Sequence, residues 1–404
     1  MNIALLHYSV YPVVGGVESV IAHHARLMTA DGHSVRLIAG RGEAMNETIP
    51  LASIPFADSR HERVMKMKKE LDRGEVTERF TSLRDELAVQ LRQALDGVDI
   101  LIAHNVCSLN KNLALTAGLY QLHQAGELPR LILWHHDLAW TTPRYRYELY
   151  DGDPWNLLRT DWGQTTHVAV SEARRVELAK LMNIDPASVH VIPNGVDIAR
   201  FYKLEPQTQA LIGKLGILDA APIFLLPVRV TPRKNIELAL HTLVELRRYF
   251  PQARLVITGP LGPHSASNHK YFKTLLELRT LLNLQNAVHF LAEMTDSFLS
   301  DQVIADFYRI ADALFLPSRE EGFGIPILEA GLAGLPVFCS DIPPLRSLGE
   351  DHVTYFPPDA DPHELASIMA KRLSSDSVYG LRAGVRRQYT WERIYSEKIS
   401  PLLG

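Results

Sequence analysis

The sequence predicts an α/β protein of two successive domains, each a doubly wound parallel sheet with helices on both faces. Three observations predict this. The chain has 404 residues, enough for two domains at roughly 100–200 residues each. Short apolar runs alternate with amphipathic stretches along its length, as strand–helix–strand units require. The alternation occurs twice, on either side of Pro193-Asn-Gly-Val-Asp197, whose Asn-Gly pair is a strong turn signal.

In the first half the expected strands are Ile3–His7, Ser34–Ala39, Asp99–Ala103, Leu131–Trp134, His167–Val170 and His190–Ile192. In the second they are Ile223–Pro227, Arg254–Thr258, Ala287–Leu291, Ala313–Leu316, Pro336–Cys339 and Val353–Phe356. Several are apolar without alternation, as strands covered on both faces should be. Helices are expected between them, among others over Glu18–Ala30, Ile236–Tyr249 and Tyr271–Leu282. The stretch after Asp197, up to Ala221, reads as a polar interdomain loop. The domain boundary therefore falls near residue 200, giving domains 1–197 and 198–385.

Composition excludes several classes. Hydrophobic residues are 46% and charged residues 22%, so disorder is not expected. The net charge of −4 argues against a broad nucleic-acid face but leaves room for local basic sites. Cys107 and Cys339 lack metal-ligand spacing and read as small core residues of a reducing compartment. The chain opens on a strand-like run rather than a secretory leader, and no apolar run approaches the ~20 residues of a membrane span. Cytoplasmic residence is the simplest expectation.

Two segments depart from the alternation. His61–Leu95 is charged and helical, with Lys66, Lys68 and Lys69 near its start. Mixed acidic residues favour a solvated helix over a membrane-surface one. Asp137–Trp162 interleaves Trp140, Tyr145, Tyr147, Tyr150, Trp155 and Trp162 with Arg144, Arg146 and Arg159. Aromatic faces stack on sugar rings and arginines grip anions in bidentate fashion, so an acceptor site and plain aromatic packing are equally expected.

The most informative stretch is Pro317-Ser-Arg-Glu-Glu-Gly-Phe-Gly-Ile-Pro-Ile-Leu-Glu-Ala330, between a strand and a helix. Gly322 and Gly324 let backbone N–H groups approach a ligand. Pro326 suits the first helical turn, whose free N–H groups and positive dipole end favour a diphosphate. Glu321 and Glu329 can each accept hydrogen bonds from hydroxyls on different parts of one extended ligand. A second constellation, Pro227-Val-Arg229-Val-Thr-Pro-Arg-Lys234-Asn, follows the first strand of the second half. A loop there points into the crevice where open α/β sheets bind ligands, and its cations suit a leaving group that gains negative charge. Arg233 is the member expected to face solvent.

The spacing Glu321-x7-Glu329, with Glu-Gly-Phe-Gly-Ile-Pro-Ile-Leu-Glu-Ala, resembles the signature of retaining glycosyltransferases of family four, which have the GT-B fold: two facing Rossmann-like domains with an interdomain cleft. The resemblance covers essentially the whole chain. It implies that Glu321 contacts donor-sugar hydroxyls and Glu329 the nucleotide ribose. It also implies that Gly322, Phe323, Gly324 and Ile325 border the diphosphate and that Arg229 and Lys234 grip it. Val228 stands where many relatives have glycine.

Tyr11-Pro-Val-Val-Gly15-Gly16-Val-Glu18 resembles the family's N-terminal glycine loop, Gly259-Pro260 follows a strand and is placed to border the nucleotide, and the backbone around Phe290–Glu293 falls where relatives bind the base. Trp134-His135-His136-Asp137 falls where relatives carry a histidine near the anomeric carbon. His136 is favoured because it directly precedes Asp137, while adjacent histidines seldom point at one metal ion. His104, Asn105, His135, Trp140, Arg144 and Arg146 are the acceptor-side candidates. Thr390-Trp391-Glu resembles the last helix, at about residues 386–404, that crosses back onto the first domain.

The expected activity is transfer of a hexose, glucose or mannose, from a UDP-sugar or GDP-sugar to a small glycoside, saccharide or lipid-linked sugar. Retention is expected, with no cofactor and no metal, no nucleic-acid partner and at most peripheral membrane contact. A sugar-nucleotide epimerase on the same architecture is the rival enzyme. A silent nucleotide-binding module is the third reading, disfavoured because Glu321, Arg229 and Lys234 are all present.

Overall fold

The computed structural model describes residues 1–260, 266–295 and 299–404. The chain divides into two compact units, one of residues 1–195 with 391–404 and one of residues 196–390.

The first unit holds seven strands: β1 (Asn2–Leu6), β2 (Ser34–Ala39), β3 (Leu51–Ser53), β4 (Ile100–His104), β5 (Arg130–His135), β6 (Thr166–Ala169) and β7 (Val189–Val191). They pair in parallel in the order β3-β2-β1-β4-β5-β6-β7. Strand geometry sends successive side chains to opposite faces. Ala4, Leu6, Leu101, Ala103, Leu131 and Leu133 therefore build one core, and Ile3, Leu5, Ile100, Ile102, Ile132 and Trp134 build the other.

Helices α2 (Glu62–Leu71), α3 (Glu78–Ala94) and α4 (Leu113–Gln124) contribute to the first core. Helix α1 (Gly16–Ala30) and the last segment, from Trp391, contribute to the second. The α5 helix (Glu172–Met182) begins on a Ser171 cap. Arg130 fastens the chain end by donating to the carbonyls of Leu402 and Leu403 at 2.8 and 3.0 Å.

The second unit begins with α6 (Ile198–Tyr202) and α7 (Pro206–Leu215). Its sheet is β8 (Ile223–Leu226), β9 (Arg254–Ile257), β10 (Val288–Phe290), β11 (Ala313–Leu316), β12 (Val337–Ser340) and β13 (Thr354–Phe356). All pair in parallel, in the order β10-β9-β8-β11-β12-β13. Helices α8 (Ile236–Tyr249), α9 (Ala266–Leu281), α10 (Asp301–Ile310), α11 (Ile325–Leu332), α12 (Pro343–Gly349), α13 (Pro362–Ser374) and α14 (Ser377–Gln388) surround it. Strands β8, β11 and β12 are buried at every residue, which explains their unbroken apolar sequence.

Buried Asp312 accepts from Arg386 on α14 and from the backbone of Ile223, locking the start of β8 to the end of the unit. Both sheets carry the Rossmann strand order. The direction of winding reverses between β1 and β4 in the first unit and between β8 and β11 in the second. Ligands bind at the carboxyl ends of such paired strands.

The structure corrects one expectation and refines another. The stretch after Asp197 is not a loop: α7 buries Leu211, Ile212 and Leu215. Its ends carry Pro206 in the first turn and Gly216 at φ +58°, the usual asymmetry of helix termini. The charged segment from His61 is two helices separated by a turn at Gly74, φ +78°. Lys66 pairs with Glu62 at 2.5 Å, and Lys68 with Asp72 and Glu148 at 2.7 and 2.8 Å, so neither is a spare cation. Both cysteines are buried, as expected of core residues. No described helix is long and apolar enough to cross a membrane.

Candidate active site

In the second unit, the loops leaving β8 and β11 meet at the switch point. After β8 the backbone turns through Pro232–Lys234 and reverses at Asn235, φ +52°, before α8. After β11 it runs through Ser318–Glu321 and reverses at Gly324, φ +106°, before α11. A Cβ on Gly324 would lie 2.6 Å from Leu345, so both space and φ call for glycine.

Three contacts lash the loops together. The Arg319 N–H donates to the Arg233 carbonyl at 2.8 Å, and the Arg233 guanidinium donates to the Glu320 carbonyl at 3.2 Å. Lys234 Nζ donates to Glu321 Oε1 at 2.5 Å. Ser318, fully buried, donates to the same oxygen at 2.7 Å.

The Lys234 and Glu321 side chains are 9% and 8% exposed, so the pair sits largely out of water. Burial pulls the lysine below its ordinary pKa, the Glu321 carboxylate opposes that shift, and Arg233 adds to it. Arg233 is exposed, as expected, yet its guanidinium lies 3.9 Å from Glu321 and so adds to the cluster's charge. Ser318 was missed by sequence reasoning, although it precedes Glu321 by three residues. A small hydroxyl in a turn has too many other uses to stand out.

The start of α11 carries no side-chain cap, which leaves its first N–H groups for a ligand. Phe323 and Ile325 flank it, each 57% exposed, and Gly322 is exposed. Arg229 is exposed and makes no ion pair among the described residues. Gly259, after β9, is buried so tightly that a Cβ would fall 1.9 Å from the Val228 carbonyl. The next residue, Pro260, accepts from the Val230 N–H at 3.2 Å, so the β9 end shapes the backbone on both sides of Arg229. Glu329 does not join the Lys234 cluster. It is exposed on α11 beside Tyr308 of α10, whose ionisation is pushed up first by burial and then by that carboxylate. Both line a cavity of ≈ 340 Å³ with Asp301, Ile304 and Leu332.

In the first unit, the β1 and β4 ends hold Gly15, Gly16, His104 and Asn105. A Cβ on Gly15 would meet Glu18 Oε2 at 2.0 Å, and Glu18 in turn accepts from Ser9 at 2.7 Å. Gly16 is exposed and open. Asn105, at φ +58°, accepts through Oδ1 from the N–H groups of His136 and Asp137 at 2.8 and 3.1 Å.

His135 and His136 point to opposite sides. His135 bonds His167 at 3.1 Å and is 1% exposed, whereas His136 bonds His104 at 3.2 Å and is 9% exposed. Burial lowers the His136 pKa to about 3 and that of His104 well below its ordinary value, so both are neutral at pH 7.

The aromatic segment after Asp137 divides. Trp155 and Trp162 are core residues, and Trp140 packs against that core with the Arg159 guanidinium 3.9 Å over its ring. Arg144 and Arg146 are exposed.

The comparisons match this architecture. Residues 207–386 match the family described as glycosyl transferases group 1. Residues 14–200 match Glycosyltransferase Family 4. The chain belongs to the family 4 glycosyltransferases.

Among the relatives of this glycosyltransferase is a D-inositol 3-phosphate glycosyltransferase of Kineococcus radiotolerans, 34% identical over 45% of this chain and 40% of its own length. The chain thus spans well under two thirds of that relative. A mannosylglucosylglycerate synthase of Petrotoga mobilis is 25% identical, covering 85% of this chain and 83% of its own. An MMP alpha-(1->4)-mannosyltransferase of Mycolicibacterium hassiacum is 25% identical over 99% and 97%.

Proposed function

We propose that the chain transfers a hexose, glucose or mannose, from a UDP-sugar or GDP-sugar to an acceptor hydroxyl, with retention at the anomeric carbon. The observation that carries this reading is the buried Lys234–Glu321 pair at the β8/β11 switch point, beside the uncapped start of α11. Each half of that arrangement suits one half of a sugar nucleotide. Lys234, the exposed Arg229 and the N–H groups at Gly324 and Ile325 suit a diphosphate. Glu321, held by Ser318, suits sugar hydroxyls, and Glu329 suits a ribose.

In the reaction, the bond from the anomeric carbon to the phosphate oxygen breaks and the bond to the acceptor oxygen forms on the same face. The departing phosphate oxygen takes the acceptor proton. Charge grows on the diphosphate as the bond breaks, and preorganised cations stabilise it without a bound metal. No cofactor is needed for this chemistry.

The unit of residues 196–390 is the donor-binding one in this reading, and that of residues 1–195 serves the acceptor. His136 would face the reacting sugar. His104, Asn105 and His135 lie buried behind it, so Arg144 and Arg146 are the exposed acceptor candidates, with Trp140 as a packed support. Their charge suits an anionic glycoside or polyol, in line with the inositol phosphate and glycerate in the relatives' names.

The test is a thermal-shift screen of sugar nucleotides, then acceptor screening with the best donor, on the native chain and on Lys234→Ala and Glu321→Gln. Removing one preorganised electrostatic contact lowers kcat by about 10²–10³. We expect at least that loss in both variants with the fold retained. Near-native rates in both would reject the assignment.

A further inference from the structure

We propose that His104 is a positioning residue that fixes the tautomer of His136, so that His136 meets the sugar substrate as a neutral Nδ1–H donor and not as a base. The inference rests on the reading that His136 faces substrate. Its structural half stands independently.

The two rings meet through His104 Nδ1 and His136 Nε2 at 3.2 Å, in a buried setting. Both are neutral at pH 7, so each carries one proton and one of the two nitrogens must donate to the other. Two arrangements satisfy this. If His136 donates, His104 must hold its own proton on Nε2. That nitrogen is buried and has no hydrogen-bond partner among the described residues. If His104 donates instead, only a lone pair is left there.

The surroundings decide between them. Trp134 stacks on His104 with ring centroids 5.3 Å apart, and its Nε1–H is itself a buried donor without an acceptor. His24, with centroids 5.4 Å from His104, has both nitrogens buried and unpartnered. A further unmet N–H among these groups adds a desolvation cost, and indole, which only donates, cannot relieve it. A lone pair at His104 Nε2 avoids that cost. His104 therefore donates from Nδ1, His136 accepts at Nε2, and the remaining His136 proton sits on Nδ1. Among the described residues that nitrogen has no hydrogen-bond partner, and its ring keeps 9% exposure.

The backbone is set for the same end. Alternation along β4 and β5 puts His104 and Trp134 on one side of the sheet, and Asn105 Oδ1 pins the His136 and Asp137 N–H groups. These bonds fix the backbone from which the imidazole projects, and the bond to His104 Nδ1 at 3.2 Å holds the ring itself. A hydroxyl or ring oxygen of the sugar would then receive a hydrogen bond from a group that never takes up a proton in the working range.

The experiment is nitrogen NMR on the full chain labelled at histidine nitrogens, at pH 7, with His136 assigned by comparison with His136→Asn. The expected spectrum shows the His136 proton on Nδ1 in the native chain and mixed tautomers in His104→Leu. In the transfer assay His104→Leu should lose about tenfold in kcat, with the donor KM within twofold. His104→Asn, whose amide can donate from the Nδ1 position, should recover part of that loss. A His136 proton on Nε2 in the native chain overturns the assignment. So does an unchanged kcat in His104→Leu. Absence of transfer by the native chain would instead reject the proposed function, and the native spectrum would still decide the tautomer.

Discussion

At the residue scale, buried histidines carry a pH dependence with a definite sign. Burial lowers the His7 pKa to about 4 and those of His24 and His136 to about 3, from an ordinary value of 6.5. Between those limits the unfolded chain binds more protons than the folded one, so stability rises with pH. The contribution is complete above about pH 6.5 and is lost as pH falls toward 3. All five tryptophans, Trp134, Trp140, Trp155, Trp162 and Trp391, lie in the first unit, so selectively excited tryptophan fluorescence reports its unfolding alone. Its urea midpoint should fall steadily from pH 7 to pH 4.5. His24→Phe removes two unpartnered buried nitrogens and should shrink that fall without lowering the midpoint at pH 7. A midpoint independent of pH would contradict the burial of these rings.

At the element scale, the decisive feature is how closely strand ends approach one another. Gly259→Ala drives a Cβ to 1.9 Å from the Val228 carbonyl, and the obstacle is backbone, which cannot rotate away. Overpacking of this kind costs about 1–3 kcal/mol or more. Hydrogen exchange over residues 223–260 should rise by at least tenfold in that variant, and near-native protection there would refute the close packing.

The same scale shows what was legible in the sequence. Ile236–Tyr249 and Ala313–Leu316 were read to the residue because a full amphipathic helix and a doubly buried strand each leave an unambiguous pattern. Strand β3 was not seen, since its three residues are half-buried or exposed and spell no apolar run. Helix α7 was missed although Pro206 and Gly216 mark its ends, because polar residues between the buried ones masked the period. Within the candidate site, the glutamates and the Arg–Lys loop announced themselves through spacing. The Lys234–Glu321 pairing did not, because it joins residues 87 apart and depends on which strands are neighbours.

At the scale of the whole molecule, the chain's last segment returns to its first unit. The Trp391 ring stacks on His23 at 5.0 Å, and a Cβ on Gly195 would sit 2.6 Å from it. Tyr395 donates to Asp31 at 2.8 Å. The first unit is thus closed by residues that follow the entire second one. Truncating a buried tryptophan costs about 3–5 kcal/mol. Trp391→Ala should destabilise the first unit by that order in fluorescence-detected unfolding and leave the second unit's melting unchanged. Equal destabilisation of both units would contradict the division at Gly195.

The central claim is that Lys234, with Arg229 and the open start of α11, forms a diphosphate site in the second unit. Calorimetric titration with UDP and with GDP, at one fixed low salt concentration, tests it most directly. The account predicts saturable one-site binding of at least one of them, weakened tenfold or more in Lys234→Ala. Failure of both nucleotides to bind, or equal affinity in the native and Lys234→Ala chains, would contradict it.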